Sequence, residues 1–106
     1  MERVADKREQ MKQESKHDDW LFEQLKDANF AADFLNLAGE DDDPKTYLTA
    51  LRKVVEARGG FASTAEKAQV SRETLYRTLS ARGNPTIKTL SAVLKATGLK
   101  LSLIHI

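Results

Sequence analysis

The chain has 106 residues, 41% of them apolar and none of them cysteine. That suffices for one modest core and excludes both a disulfide framework and a thiolate metal site. The net charge of +1 conceals two opposed halves: residues 1–43 carry six Lys or Arg against thirteen Asp or Glu, and residues 44–106 carry eleven against three. The second half suits a polyanion and the first suits solvent or a basic protein, with ordinary solvated surface as the plain alternative for both. No apolar run approaches the roughly 20 residues of a membrane span, and the opening MERVADKREQ lacks the apolar region of a signal peptide, so a cytoplasmic protein with no membrane partner is expected.

Residues 1–17 are almost entirely polar and are expected to form a flexible arm. From Asp18 to Gly39 the apolar residues Trp20, Leu21, Leu25, Phe30, Phe34, Leu35 and Ala38 recur at spacings of three to five, which predicts one kinked helix or two short ones. Trp20, Phe22, Phe30 and Phe34 crowd into this acidic stretch. They are candidate anchors for a protein partner, although the same rings would also staple the segment onto a core. The acidic run Glu40–Asp43 ends at Pro44, where Asp43 as cap and Pro44 at the first helical position predict a helix start. Capping accounts for these carboxylates without a metal, since they lack the spacing of a calcium loop.

The next helix carries Tyr47, Leu48, Leu51, Val54 and Val55 on one stripe and stops at Gly59-Gly60. Two short helices follow, Phe61 to Ala68 and Ser71 to Ser80, separated by a turn at Gln69 to Ser71, which is the spacing of a helix-turn-helix. Ala68, Val70, Leu75 and Leu79 can share a core while Arg72, Glu73, Tyr76 and Arg77 lie on the opposite face. A glycine-containing loop from Ala81 to Asn84 leads to a last helix that either Asn84, with Pro85 following, or Thr86 could begin, whose stripe is Ile87, Leu90, Val93 and Leu94 and which ends at Gly98.

From Leu99 to Ile106 the period changes to two, with Leu99, Leu101 and Leu103 alternating against Lys100 and Ser102. This predicts a strand. No other segment offers it a partner, so pairing with the same strand of a second copy, and hence a homodimer, is expected; extended packing on the chain's own core is the alternative. The expected organisation is a polar arm (1–17), an acidic helical segment for a partner (18–43), a DNA-binding domain (44–98) and a dimer strand (99–106).

Four stretches carry a family resemblance: ALRKVVEARGG at 50–60, SRETLYRTLS at 71–80, GNPTIKTLSAVLKATGLKLSL at 83–103, and, more weakly, AADFLNLAGEDDDP at 31–44. The likeness covers roughly residues 20–103. The chain resembles the HigA-type antitoxins of the addiction-module antidote family, within the Xre/Cro-like helix-turn-helix group. One departure is Gln69, where related sequences usually have the Gly that a positive φ favours; a strained turn is expected there. The resemblance implies an all-α, lambda-repressor-like bundle that dimerises, represses its own operon, and binds a RelE/HigB-like toxin that is a messenger-cleaving ribonuclease.

With the second short helix in a major groove, Ser71, Arg72, Glu73 and Arg77 would face base edges. Arg72 and Arg77 can fork onto guanine O6 and N7, Glu73 can accept from cytosine N4, and Tyr76 can reach a phosphate or a thymine methyl. An ion pair between Glu73 and Arg77 is the competing use of that face in the free protein. Ser63, Thr64, Arg82, Asn84, Thr86 and Lys88 are expected to contact phosphates of the double-stranded operator. No nucleophile, base and orienting group converge on a motif, so neither an enzyme nor a cofactor is expected. A repressor without a toxin, and a pure protein-binding module, remain alternative readings of the residues; the arginines on the exposed face count against the second.

Overall fold

Between Asp18 and Gly39 the chain makes two helices. The computed structural model describes residues 18–80 and 82–99. In it, residues 18–24 form α1, and a turn at Leu25–Asp27 leads into α2, Ala28–Gly39. Asp27 makes the break, because its extended backbone ends one helix while its carboxylate accepts from Asn29 N at 3.0 Å to begin the next. Asp43 repeats the device, accepting from Lys45 N at 3.0 Å with Pro44 in the first turn of α3, Pro44–Ala57. The expected start of this helix is therefore the observed one.

Helix α3 is the spine. Leu48, Leu51, Val54 and Val55 are buried along it, joined by Ala50 and Ala57, and α2 packs against its flank through Ala31 and Leu35. Tyr47 is half-buried, and burial pushes its phenol above the ordinary value. The corner after α3 is Gly59-Gly60, whose φ angles of +114° and +85° suit glycine; Gly60 opens α4, Gly60–Ala68. A three-residue turn separates α4 from α5, Arg72–Thr78, and the loop to Thr86 leads into α6, Ile87–Ala96. Helix α4 packs on both α5 and α6, so Phe61, Ala65, Leu75, Leu79, Val93 and Leu94 extend the core begun by α3.

One side chain ties the acidic helices to this body. Arg58, which caps α3, donates from Nε to Thr97 O at 2.7 Å and from one terminal nitrogen to Lys26 O at 2.7 Å. The guanidinium thus bridges the α1–α2 turn and the end of α6, satisfying carbonyls that helix ends leave open.

Two expectations fail, at Ile87 and at Leu99. Ile87 does not join the α6 stripe: it is 63% exposed because it is the first helical residue, turned away from the α4 contact that buries Val93 and Leu94. Trp20, for which the sequence leaves both a partner contact and a core contact open, is exposed while its neighbour Leu21 is buried. Leu99 is not the start of a strand. Its N–H closes on Leu94 O at 2.8 Å and its side chain is buried in the chain's own core, the hydrophobic ending that follows a helix stopped by Gly98. All elements among the described residues are helical; Leu101, Leu103 and the rest of the expected strand, like the N-terminal arm, lie outside them.

Candidate functional site

Helix α5 is short, and its two ends are held by its own side chains and by α4. Ser71 Oγ accepts from Thr74 N at 3.0 Å and lies 2.8 Å from Thr74 Oγ1, while Leu75 and Leu79 are buried beneath. The preceding turn has the backbone expected of it: Gln69 adopts φ +60° and ψ +42°, and Val70 N reaches back to Ala65 O at 3.0 Å. Fixed at both ends, α5 exposes Arg72, Glu73, Thr74, Tyr76 and Arg77 on one side.

The residues on this face are not equivalent. Arg72 and Arg77 are exposed, and Glu73 does not pair with Arg77; among the described residues the one ion pair is Lys26–Glu23. Their donors are thus free for an anionic or guanine-like acceptor without first breaking a bond. The Ser71 hydroxyl is engaged with Thr74, so its capping use competes with reading a base. Tyr76 stacks flat on Phe61, centroids 4.2 Å apart and planes 4° from parallel, with 42% of the residue exposed. Its ring therefore helps set α5 against α4. Thr74, which apolar periodicity passes over, belongs to the same face.

Of the six expected phosphate contacts, Arg82, Asn84 and Lys88 are exposed around the α5–α6 loop and Ser63 is half-buried. Thr86 is exposed but caps α6, its Oγ1 accepting from Thr89 N at 3.1 Å. Thr64 is misplaced by the sequence reading: it is 1% exposed, and its Oγ1 is buried without a hydrogen-bond partner. It sits one position from Ser63 on the inward side of α4, where β-branching packs well and the hydroxyl cannot reach a phosphate. The chain carries no Asp or Glu after Glu73, so every charge from α5's second turn onward is positive.

The aromatic candidates in the acidic half also divide. Phe30 and Phe34 are partly buried against the core, and Trp20 meets Phe30 edge-on at 5.9 Å and 87°. Phe22 is 39% exposed, with Lys26 Nζ 5.2 Å from its ring centre. Among the described residues no group of three or more metal-ligating side chains is assembled, and no helix is long and apolar enough to cross a membrane.

The chain belongs to the family described as "Probable addiction module antidote protein", whose model matches residues 15–105. It is also 36% identical over 89 residues to an uncharacterized protein of Haemophilus influenzae, covering 76% of this chain and 91% of that one. No solved structure matches. The family implies a cognate toxin as partner and is consistent with an antitoxin.

Proposed function

We propose that the chain is the HigA-type antitoxin of a type II toxin-antitoxin module: it neutralises a RelE/HigB-like ribonuclease toxin and, as a homodimer, represses its own operon through an Xre/Cro-type helix-turn-helix made by α4 and α5. The toxin half of this reading rests on family membership. The observation that carries the DNA half is α5, a capped helix whose Arg72 and Arg77 are exposed and unpaired beside a loop bearing Arg82, Asn84 and Lys88.

The division of labour follows from geometry. Arg72, in the first turn, and Arg77, on the other flank of the same exposed half of α5, present forked donors suited to guanine edges, with Glu73 between them to accept from a cytosine amine. Arg82 and Lys88 supply charge that positions without reading sequence. A symmetric dimer would bind an inverted repeat with half-sites about one or two helical turns apart.

Two assays test the halves separately. The chain is tagged and recovered from its own cells, a small basic protein retained with it is identified by mass spectrometry, and that protein is expressed alone and with the chain. Growth arrest relieved by coexpression supports the antitoxin; a retained protein that never arrests growth removes it. In the second assay, fluorescence anisotropy with DNA from upstream of the gene compares the wild type with Arg72→Ala/Arg77→Ala. Specific binding lost in the variant, with growth rescue kept, supports the helix-turn-helix. Rescue without any specific DNA binding by the wild type would leave a protein-binding antidote only.

A further inference from the structure

A cavity of about 290 Å³ opens between α1 and α3, floored by Leu21, Phe22 and Leu25 and rimmed by Asp18, Asp19 and Glu56, with Lys53 the one cation lining it among the described residues. At the lower limit of the roughly 300–1,000 Å³ typical of small-molecule sites, it is sized for one or two side chains. None of its three carboxylates is in an ion pair, since the single pair among the described residues is made elsewhere by Lys26 and Glu23. Phe22 keeps more than a third of its surface open at this site, and the approach of Lys26 Nζ to 5.2 Å of its centroid shows that its ring accepts an ammonium group.

We infer that this acid-rimmed cavity, rather than the other aromatic residues of the acidic half, is where the chain takes hold of its toxin, by receiving an Arg or Lys side chain from an apolar-flanked helix of that basic protein. The inference rests on the antitoxin reading and specifies its contact. Three unpaired carboxylates around an apolar floor complement a side chain with an aliphatic stem and a cationic head, since the stem covers Leu21 and Leu25 while the head reaches the rim. The competing groove between α2 and α3, of about 560 Å³, is lined by Phe34, Leu37 and Ala38 but carries Lys45 and Lys53 and, among the described residues, no carboxylate. It would repel a basic partner. Phe30 and Phe34 are already packed on the core and Trp20 meets Phe30 edge-on, whereas Phe22 is the one of the four candidate aromatics that lines this cavity among the described residues.

The test uses the full chain and the purified toxin identified by growth rescue. Binding is titrated by calorimetry for the wild type, Asp19→Lys/Glu56→Lys, the milder Asp19→Asn/Glu56→Gln, Phe22→Ala, and a control charge reversal at the exposed Asp41. All of the altered side chains are exposed, and circular dichroism checks that each variant folds. The expected result is a loss of about 30-fold or more for the double charge reversal and about 10-fold for Phe22→Ala, with a smaller loss for the neutral pair and under about 2-fold for Asp41→Lys. The double-reversal effect should shrink as salt is raised. Affinity within about 3-fold of wild type for the double reversal overturns the inference while the antitoxin reading stands. An equal loss for Asp41→Lys overturns it as well, because only net charge would then matter, and so does a change in sedimenting mass without a change in toxin affinity, because the cavity would then serve a second copy. If no toxin is neutralised at all, the reading and the inference fall together.

Discussion

At the scale of single residues, charge on the α5 face separates reading from positioning. Arg77→Ala is expected to cost about 1–3 kcal/mol on a matched operator and to relax preference at one base position, whereas Lys88→Ala should weaken all sequences alike and reduce the salt slope by about one. Titration against matched and singly mismatched DNA over a salt series distinguishes them, and interchanged effects would sink the assignment. Thr64 makes the opposite kind of claim. Its hydroxyl is buried and unpaired, so Thr64→Val, nearly the same shape, is expected to stabilise the fold by about 1 kcal/mol and leave DNA affinity unchanged. Thermal unfolding reads this directly; a lower midpoint would mean that the hydroxyl has a partner in solution. Thr64 also shows what residue-type reasoning misses: Ser63 and Thr64 look interchangeable in a list of hydroxyls, and only the packing of α4 decides which one faces inward.

At the scale of elements, caps and stops were the most legible features because they are local chemistry. Asp43-Pro44, Ser71 and Thr86 each begin a helix by supplying an acceptor to a nearby N–H, a requirement that does not depend on the rest of the fold. Gln69 was legible only through the family resemblance, which has Gly in that turn, and its φ of +60° is a cost the sequence carries. Gln69→Gly is therefore expected to raise stability by up to about 1 kcal/mol, net of the added freedom of the unfolded chain. A lower thermal midpoint for this variant would mean that the Gln side chain makes a compensating contact. Gly83 predicts the reverse, because its limit is space: a Cβ there would lie 1.9 Å from Thr78 O, where the loop closes over the end of α5. Gly83→Ala should lower the midpoint by several degrees and weaken operator binding together, since Arg82 and Asn84 move with the loop. Unchanged affinity in a destabilised Gly83→Ala protein would detach the loop from DNA. What the elements hid was long-range: the flat stack of Phe61 on Tyr76 joins residues fifteen apart, and Leu99 ends buried in the core with its N–H on Leu94 O.

At the scale of the whole molecule, the two halves of opposite charge were visible in the sequence, but the residue that couples them was not. Arg58 reads as one more surface cation near a helix end. In the fold it holds Thr97 O and Lys26 O at once, 39 and 32 residues away, so the α1–α2 turn and the end of α6 are fixed through one guanidinium. Only a planar fork with several donors can do this, so Arg58→Lys keeps the charge and loses the geometry. The expected cost is about 1.5–3 kcal/mol, the range for hydrogen bonds to charged groups. The location of the loss matters more than its size. Helix α2 packs on α3 and α1 borders a cavity it shares with α3, whereas α4 packs on α5 and α6 as well as on α3, so hydrogen exchange in Arg58→Lys should accelerate across residues 18–39 while protection around Leu75 and Leu79 falls less. Toxin affinity should then drop at an operator affinity close to wild type, because the acid-rimmed cavity depends on where α1 sits and the α5 face does not. A uniform loss of protection, or equal losses in both affinities, would show that Arg58 supports a single cooperative unit and that the two binding surfaces cannot be uncoupled at this residue.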